Sequence, residues 1–379
     1  MSRLMIYFLH TAPTPHNNYL LDSLAQINNV DLYRYYIYKT NAVPGRPWKT
    51  HDAGQVQVEK IYTGINKICS WQYMKHALFD KKGVFFIIGW DYPALVLPLL
   101  VITLRKRPLI MWDDGPNAKA VRQIHSFWPR QIIKRIIMSL FNNAPGTYFY
   151  TSQNARNNLV AMGFKSEKLA QLPFFIKPSS YNVDLRQNHS CGSDCVLIFA
   201  GGRLIRQKGF DVLLRALPLV KQMTSAKWRV VIAGSGPEEL TIRKLSEDLG
   251  VTNNLDFVPW AEPELFTSYI HTCDIFVAPA RFDHFPTTVI AAMQAGVPVV
   301  ATDQVGSAVE LIDSGSNGII VPSDSPEDLA KALVLLISDS AKRRFLGSSG
   351  EATVREWPVE RGVLLIIDAA REALKKCAE

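Results

Sequence analysis

Apolar positions along this chain come in short unbroken runs rather than in strict alternation with polar ones. In the first half these runs are "LMIYFLH", "VDLYRYYIY", "VFFIIGW", "PLIMWDD" and "GTYFYTS". In the second half they are "CVLIFAGG", "WRVVIAGSG", "LDFVPW", "DIFVAPA", "PVVAT" and "GIIVP". Unbroken Val/Ile/Leu/Phe runs suit parallel strands buried on both faces. Stretches between them predict helices over 17–27, 92–105 and 130–141. Strands alternating with helices make β-α-β units, so the expected class is α/β, with two tandem Rossmann-like, doubly wound domains. The rhythm pauses at the polar, turn-rich "KPSSYNVDLRQNHSCGSD" and then resumes. The expected boundaries are a first domain over 1–178, a linker over 179–195 and a second domain over 196–356. A C-terminal helix over 357–379, after a break at "REWPVERG", is expected to pack back toward the first domain.

Composition narrows the classes. The 379 residues are 47% hydrophobic and 20% charged, enough apolar surface for real cores and against disorder. The formal charge of +8 is uneven: residues 1–178 carry 22 Lys+Arg against 9 Asp+Glu, and the remainder is mildly acidic. Such a basic half suits anionic lipid or a phosphorylated substrate. No nucleic-acid-binding motif accompanies it, so nucleic acid is not an expected partner. The longest apolar run, "ALVLPLLVITL" at 94–104, is too short to span a bilayer. The opening "MSRLMIYFLH" reads as a first strand, so no signal peptide is expected and the expected compartment is the cytoplasm. The five cysteines, including Cys191 and Cys195, are expected to be free thiols.

The chemistry-bearing residues follow the second-half strands, where open α/β sheets bind ligands. In "FAGGRLIRQKGFDVLLRAL", Gly201 and Gly202 permit a tight turn, and Arg203 and Lys208 project ahead of a helix. Two cations beside a helix N-terminus suit a diphosphate, although two plain surface cations would look the same. "VVIAGSGPEEL" places Gly234 after a strand but lacks the third glycine of a dinucleotide fingerprint. A strand-to-helix turn with Pro237 opening the helix is the plain alternative. In "QVGSAVELI", the backbone at Gly306 and Ser307 suits phosphate or sugar oxygens, and Glu310 suits ribose hydroxyls. Ser307 and Glu310 also have the spacing of a capping box. In "RFDHFPTTVIAAMQAGVPVV", Asp283 and His284 precede a helix opened by Pro286.

These segments, with "GSNGIIVP", resemble in order and spacing the donor-binding domain of the retaining family 4 glycosyltransferases, the group 1 glycosyl transferases of GT-B fold. The resemblance covers roughly 196–340. In the first half only the general layout and "SQNARNNLVAMGF" are similar. The resemblance implies a retaining hexosyltransferase acting on a nucleotide-diphospho-sugar, UDP- or GDP-linked, in surface polysaccharide or lipopolysaccharide synthesis. It further implies that Arg203 and Lys208 hold the diphosphate and that backbone at Phe257 and Val258 borders the base. The implied donor-binding set also includes Gly202, Gly234, His284, Phe285, Pro286 and Thr287, together with Gly306, Ser307 and Glu310. The family's pair of glutamates falls on Asp283, which keeps a carboxylate toward the donor sugar, and on Ala291, which keeps none toward the ribose. No D-x-D triplet occurs, so no metal ion and no other cofactor is expected.

On the acceptor side, where a glycan or lipid-linked partner is expected, the candidates are Asp113 and Asp114 in "IMWDDGPNAK", Asp114 as a catalytic group, and His16 after the first strand. An Asp-Asp-Gly turn is the plain reading of the first two. In "WPRQIIKRIIMSLF", Ile132, Ile133, Ile136, Ile137 and Leu140 share a predicted face beside Arg130, Lys134 and Arg135. This suggests peripheral contact of the first domain with the inner face of the cell membrane. The alternatives are a non-catalytic nucleotide-sugar binder, suggested by Ala291, and a GT-B sugar epimerase or phosphorylase.

Overall fold

A computed structural model describes residues 3–10, 14–36, 59–61, 71–89, 93–116, 129–178, 185–259 and 263–379. The chain divides into two compact units, residues 1–177 with 358–379 and residues 178–357.

The first unit is built on a seven-stranded sheet of order β3-β2-β1-β4-β5-β6-β7. Its strands are β1 Leu4–His10, β2 Val30–Tyr36, β3 Glu59–Ile61, β4 Val84–Ile88, β5 Leu109–Asp113, β6 Gly146–Tyr150 and β7 Leu169–Gln171, all paired in parallel. Successive residues of a strand face opposite sides. Ile6 and Phe8 therefore meet one core with Leu20, Leu21 and Leu24 of α1 (Pro15–Ala25) and Val363 and Ile366 of the last helix, α13 (Val359–Ala378). Tyr7 and Leu9 face the other core, covered by α2 (Trp71–Phe79), α3 (Pro93–Leu104), α4 (Pro129–Asn143) and α5 (Gln153–Met162). Both faces are buried, which is why the strands read as unbroken apolar runs.

The second unit carries a parallel six-stranded sheet of order β10-β9-β8-β11-β12-β13. Its strands are β8 Cys195–Gly201, β9 Lys227–Ala233, β10 Leu255–Val258, β11 Ile275–Ala278, β12 Val299–Thr302 and β13 Ile319–Val321. Ile198, Val230 and Ile232 pack under Leu213, Leu214 and Leu217 of α6 (Phe210–Met223) and Leu333 and Leu336 of α11 (Pro326–Ser338). The remaining helices are α7 (Glu239–Asp248), α8 (Pro263–Thr272), α9 (Thr287–Gln294), α10 (Gly306–Leu311) and α12 (Ser340–Arg355). The chain winds outward in both directions from neighbouring β8 and β11. The loops leaving these two strands therefore flank the topological switch point, where open α/β sheets bind ligands.

Two expectations are corrected. Cys191 and Cys195 are joined as a disulfide rather than free: the chain turns between them, the Cys195 amide donating to the Gly192 carbonyl at 3.1 Å. Within the segment expected as a linker, 179–195, Arg186 pairs with Asp274 at 2.7 Å and His189 Nδ1 lies 3.1 Å from Asp256. Pro237 does not open a helix. It sits in a turn, and α7 begins at Glu239 because the amide of Glu238 donates to the Leu204 carbonyl at 3.0 Å.

Candidate functional site

The loop after β8 is held by backbone contacts that only small residues permit. The Gly202 amide donates to the Ala233 carbonyl (2.9 Å), and the Leu204 amide donates to the Ser235 carbonyl (2.9 Å). A Cβ on Gly234 would lie 1.9 Å from the Gly202 carbonyl oxygen, so the loops after β8 and β9 touch backbone to backbone. Gly234 in turn donates its amide to the Val258 carbonyl at 3.0 Å, which carries the same packing to the end of β10. Leu204 is buried, and this anchors its neighbour Arg203, which is exposed. The chain then makes a 3₁₀ turn over Arg206–Lys208 and enters α6 through Gly209 at φ +66°.

Gly209 is seated against the loop after β11, where a Cβ would lie 1.9 Å from the Pro279 carbonyl oxygen. The Arg281 amide donates to the Gln207 carbonyl at 2.8 Å. These contacts bring Lys208 and Asp283, 75 residues apart, into a hydrogen-bonded ion pair whose side chains are 26% and 19% exposed. Asp283 is fixed from its other side as well: its amide donates to Gln304 (3.0 Å) and its carbonyl accepts from Gly306 (2.9 Å). Close packing of Gly306 on the His284 carbonyl leaves no room for a side chain there. No hydrogen bond or ion pair engages the Arg203 side chain among the described residues. At the mouth of the switch point, one cation is thus neutralised by a carboxylate and one is open to solvent.

The rest of the predicted set divides. Pro286 caps α9, and Phe285 is buried behind it. His284 is half-buried, with its ring centroid 4.7 Å from that of Phe282. Thr287 and Ala291 are half-buried positions of α9, and Glu310 is half-buried in α10. Ser307 does not cap α10, which overturns the capping-box alternative: its buried hydroxyl donates to the Pro286 carbonyl at 2.9 Å and ties the two loops together. Its backbone remains beside the pair.

Asp113 and Asp114 belong to the first unit. Asp113 ends β5, where its carboxylate accepts from the Gly115 amide (2.8 Å) and the Tyr148 hydroxyl (2.8 Å), which is the turn-forming role. Asp114 is half-buried in the following bend. His16 falls in α1, but its side chain lies outside the described residues, as do the side chain of Arg130 and the whole of residues 117–128. The predicted apolar face of α4 splits: Ile137 enters the core, beside Phe141 of the same helix and with Ile133 against it, Leu140 is half-buried, and Ile132 and Ile136 are exposed. Lys134 is buried rather than displayed.

One group escaped the sequence reading. Arg281 donates from both terminal nitrogens to Asp211 (2.7 and 2.8 Å) and from one of them to the Arg206 carbonyl (2.9 Å). Its Nε lies 2.5 Å from Asp324. Burial alone would push the Asp211 carboxyl up, but the bonds and charge of Arg281 outweigh it and hold that carboxyl below the usual range. The residues were visible in "RFDHF" and "KGFD", but their pairing across 70 residues was not.

Comparison with known proteins bears on the same segment. Residues 184–353 match the family model of glycosyl transferases group 1. Over 174 residues the chain is 30% identical to an uncharacterized glycosyltransferase of Methanocaldococcus jannaschii, covering 46% of this chain and 44% of that protein. It is 24% identical over 243 residues to a GDP-mannose-dependent alpha-(1-6)-phosphatidylinositol monomannoside mannosyltransferase of Mycobacterium tuberculosis, covering 61% of each. The chain thus spans about half the length of the curated relatives it matches. Among solved structures, Anabaena HepE in complex with UDP is similar at a TM-score of 0.75 and 17% identity, over 96% of this chain and 99% of that one. The fold is therefore the two-domain α/β architecture of GT-B glycosyltransferases.

Proposed function

We propose that this chain is a retaining hexosyltransferase that takes a sugar from a UDP- or GDP-linked donor and passes it to a glycan or lipid-linked acceptor of surface polysaccharide, without a metal ion. The observation that carries the reading is the Lys208–Asp283 pair, with the exposed cation Arg203 on the same loop as Lys208, at the switch point of the second sheet. As the bond from the anomeric carbon to phosphate breaks, its electron pair passes to the diphosphate. Arg203 and Lys208 stabilise that charge electrostatically, in the role a metal fills elsewhere. Asp283 faces the oxocarbenium-like sugar, and the acceptor hydroxyl oxygen bonds to the anomeric carbon as its proton passes to the departing diphosphate oxygen. Asp113, Asp114 and His16 are proposed for the acceptor side. The mannosyltransferase and UDP-complex names of the similar proteins support a nucleotide-sugar donor.

The test is turnover of a panel of UDP- and GDP-sugars with and without acceptor, read as free nucleoside diphosphate. Arg203→Ala is expected to lower kcat/KM by about 10²-fold, the worth of one charged hydrogen bond in a transition state. Unchanged turnover overturns the leaving-group role. One observation favours a second reading, binding without turnover: Ala291 offers no carboxylate where the resemblance implies one. Ala291→Glu then turns a silent nucleotide-sugar binder into an active enzyme, whereas a wild-type protein already active excludes that reading.

The proposal includes cytoplasmic residence with peripheral contact on anionic membrane. Its support is the basic excess of the first half and the exposed apolar side chains Leu97 and Leu104 of α3 and Ile132 and Ile136 of α4, with Arg105, Lys106 and Arg135 on or next to these helices. Among the described residues no helix is long and apolar enough to cross a membrane. Flotation with anionic vesicles that fades in high salt is expected; indifference to lipid charge ends the idea.

A further inference from the structure

We propose that Arg281 is a positioning residue that holds Lys208 and Asp283 in register, an inference resting on the function proposed above. Arg281 lies two residues before Asp283, and its amide and its guanidinium both reach the segment that carries Lys208. The amide donates to Gln207 (2.8 Å) and the guanidinium to the Arg206 carbonyl (2.9 Å), so two consecutive carbonyls of the 3₁₀ turn are claimed by one residue. The same guanidinium takes both oxygens of Asp211 in the first turn of α6, immediately beyond Gly209. Its Nε is turned to Asp324 in the loop after β13. Asp324 holds a left-handed backbone conformation (φ +58°), which a non-glycine residue adopts only when its surroundings favour it. A planar fork with separate donors on three nitrogens satisfies this arrangement; a lysine does not. Arg281 thus fastens the loop after β8, the start of α6 and the loop after β13 to the strand end that delivers Asp283. With only 23% of its side chain exposed, it works in a partly desolvated site where such bonds are strong. Its hydrogen bonds and ion pairs go to neither member of the Lys208–Asp283 pair, so it acts through their backbones.

The test combines two readouts on full-length Arg281→Ala and Arg281→Lys, the second guarding against a failure of the first to fold. Hydrogen exchange of the Lys208 and Gly209 amides, which close the 3₁₀ turn onto Ile205 and Arg206, is expected to quicken at least tenfold in both variants without ligand. Binding of UDP and GDP is expected to weaken about tenfold, and that loss is expected to shrink below twofold in a Lys208→Ala background, because residues acting through one another are non-additive. A full loss retained in the Lys208→Ala background, or unchanged exchange at those two amides, overturns the positioning role. If wild-type protein binds neither nucleotide, the proposed function fails. The exchange result then decides alone: faster exchange upholds the brace, and unchanged exchange removes it.

Discussion

Gly209→Ala paired with Gly250→Ala isolates the packing that sets the candidate site. Both glycines are left-handed, at φ +66° and +65°. An alanine at either should cost about 1–2 kcal/mol in backbone strain. The positions differ in their surroundings: a Cβ on Gly250 meets nothing within 4 Å, whereas one on Gly209 lies 1.9 Å from the Pro279 carbonyl oxygen and 2.9 Å from its carbon. Real Cβ atoms essentially never approach another heavy atom within 3.0 Å, so the two loops must part by roughly 1 Å in a close-packed interior. Overpacking of that kind costs about 1–3 kcal/mol more. At about 3 °C per kcal/mol for a domain of this size, Gly250→Ala should melt some 3–6 °C below wild type and Gly209→Ala a further ~3–9 °C below that. Parting the loops also moves Lys208 out of reach of the diphosphate it is proposed to hold, so only Gly209→Ala should lose affinity for UDP or GDP, by about tenfold or more for a displaced charged hydrogen bond. Differential scanning fluorimetry and isothermal titration calorimetry report the two effects. Equal melting temperatures for both variants would refute the steric argument. A low-melting Gly209→Ala protein with undiminished nucleotide binding would refute the claim that this contact positions Lys208.

Other consequences follow from individual bonds. Asp283→Asn frees Lys208 from its partner and should tighten UDP or GDP binding about three- to tenfold while turnover falls, measured by calorimetry and product release. The Cys191–Cys195 disulfide closes a short loop, so Cys191→Ser, or reduction of wild type, should lower stability by about 2 kcal/mol in urea denaturation, and the variant should be insensitive to reductant. The Asp211 carboxyl is depressed in the folded state, so its stabilisation is present above the ordinary carboxylate pKa and is lost as pH falls from about 4 through the lower folded value. Wild type should therefore lose stability more steeply below pH ~4 than Asp211→Asn, as followed by thermal melts across pH.

How much of this was legible depended on whether a signal was local. Strands buried on both faces wrote themselves as unbroken apolar runs, and all five such runs of the first half are strands. The two strands missed there, "EKI" and "LAQ", are three-residue strands at opposite edges of the sheet. An edge strand has one neighbour, and short polar edges discourage further pairing, so no apolar run marks them. Arg203, Lys208 and Asp283 could be singled out because open α/β sheets bind ligands beyond their strand ends, a rule of topology; their pairing could not be read there. The Ser307 hydroxyl was misread because two partners compete for it. The local capping geometry was visible in sequence, whereas the carbonyl it reaches, at Pro286, is 21 residues away. The disulfide was misread because cysteine spacing alone does not show the turn at Gly192–Cys195 that brings the sulfurs together.

The same contrast accounts for how the site works as an assembly. Its charges sit on separate segments of loop, and nothing in their spacing fixes the distances between them. What fixes those distances is backbone packed on backbone, at Gly209 on Pro279 and at Gly306 on His284, with the Arg281 guanidinium binding a carbonyl of the loop after β8 and the carboxylates of Asp211 in α6 and Asp324 in the loop after β13. Such contacts leave little slack, because carbonyl oxygens cannot change rotamer as side chains can. Lys208 is therefore held in place before any ligand arrives, its charge balanced by Asp283, while Arg203 stands unpaired. On the proposed function, an incoming diphosphate is drawn first by Arg203 and engages Lys208 only by competing with a carboxylate already in place. That proposed order of events would tie binding of the anion to a change in the charge that Asp283 presents to a donor sugar, the coupling that the proposed glycosyl transfer needs.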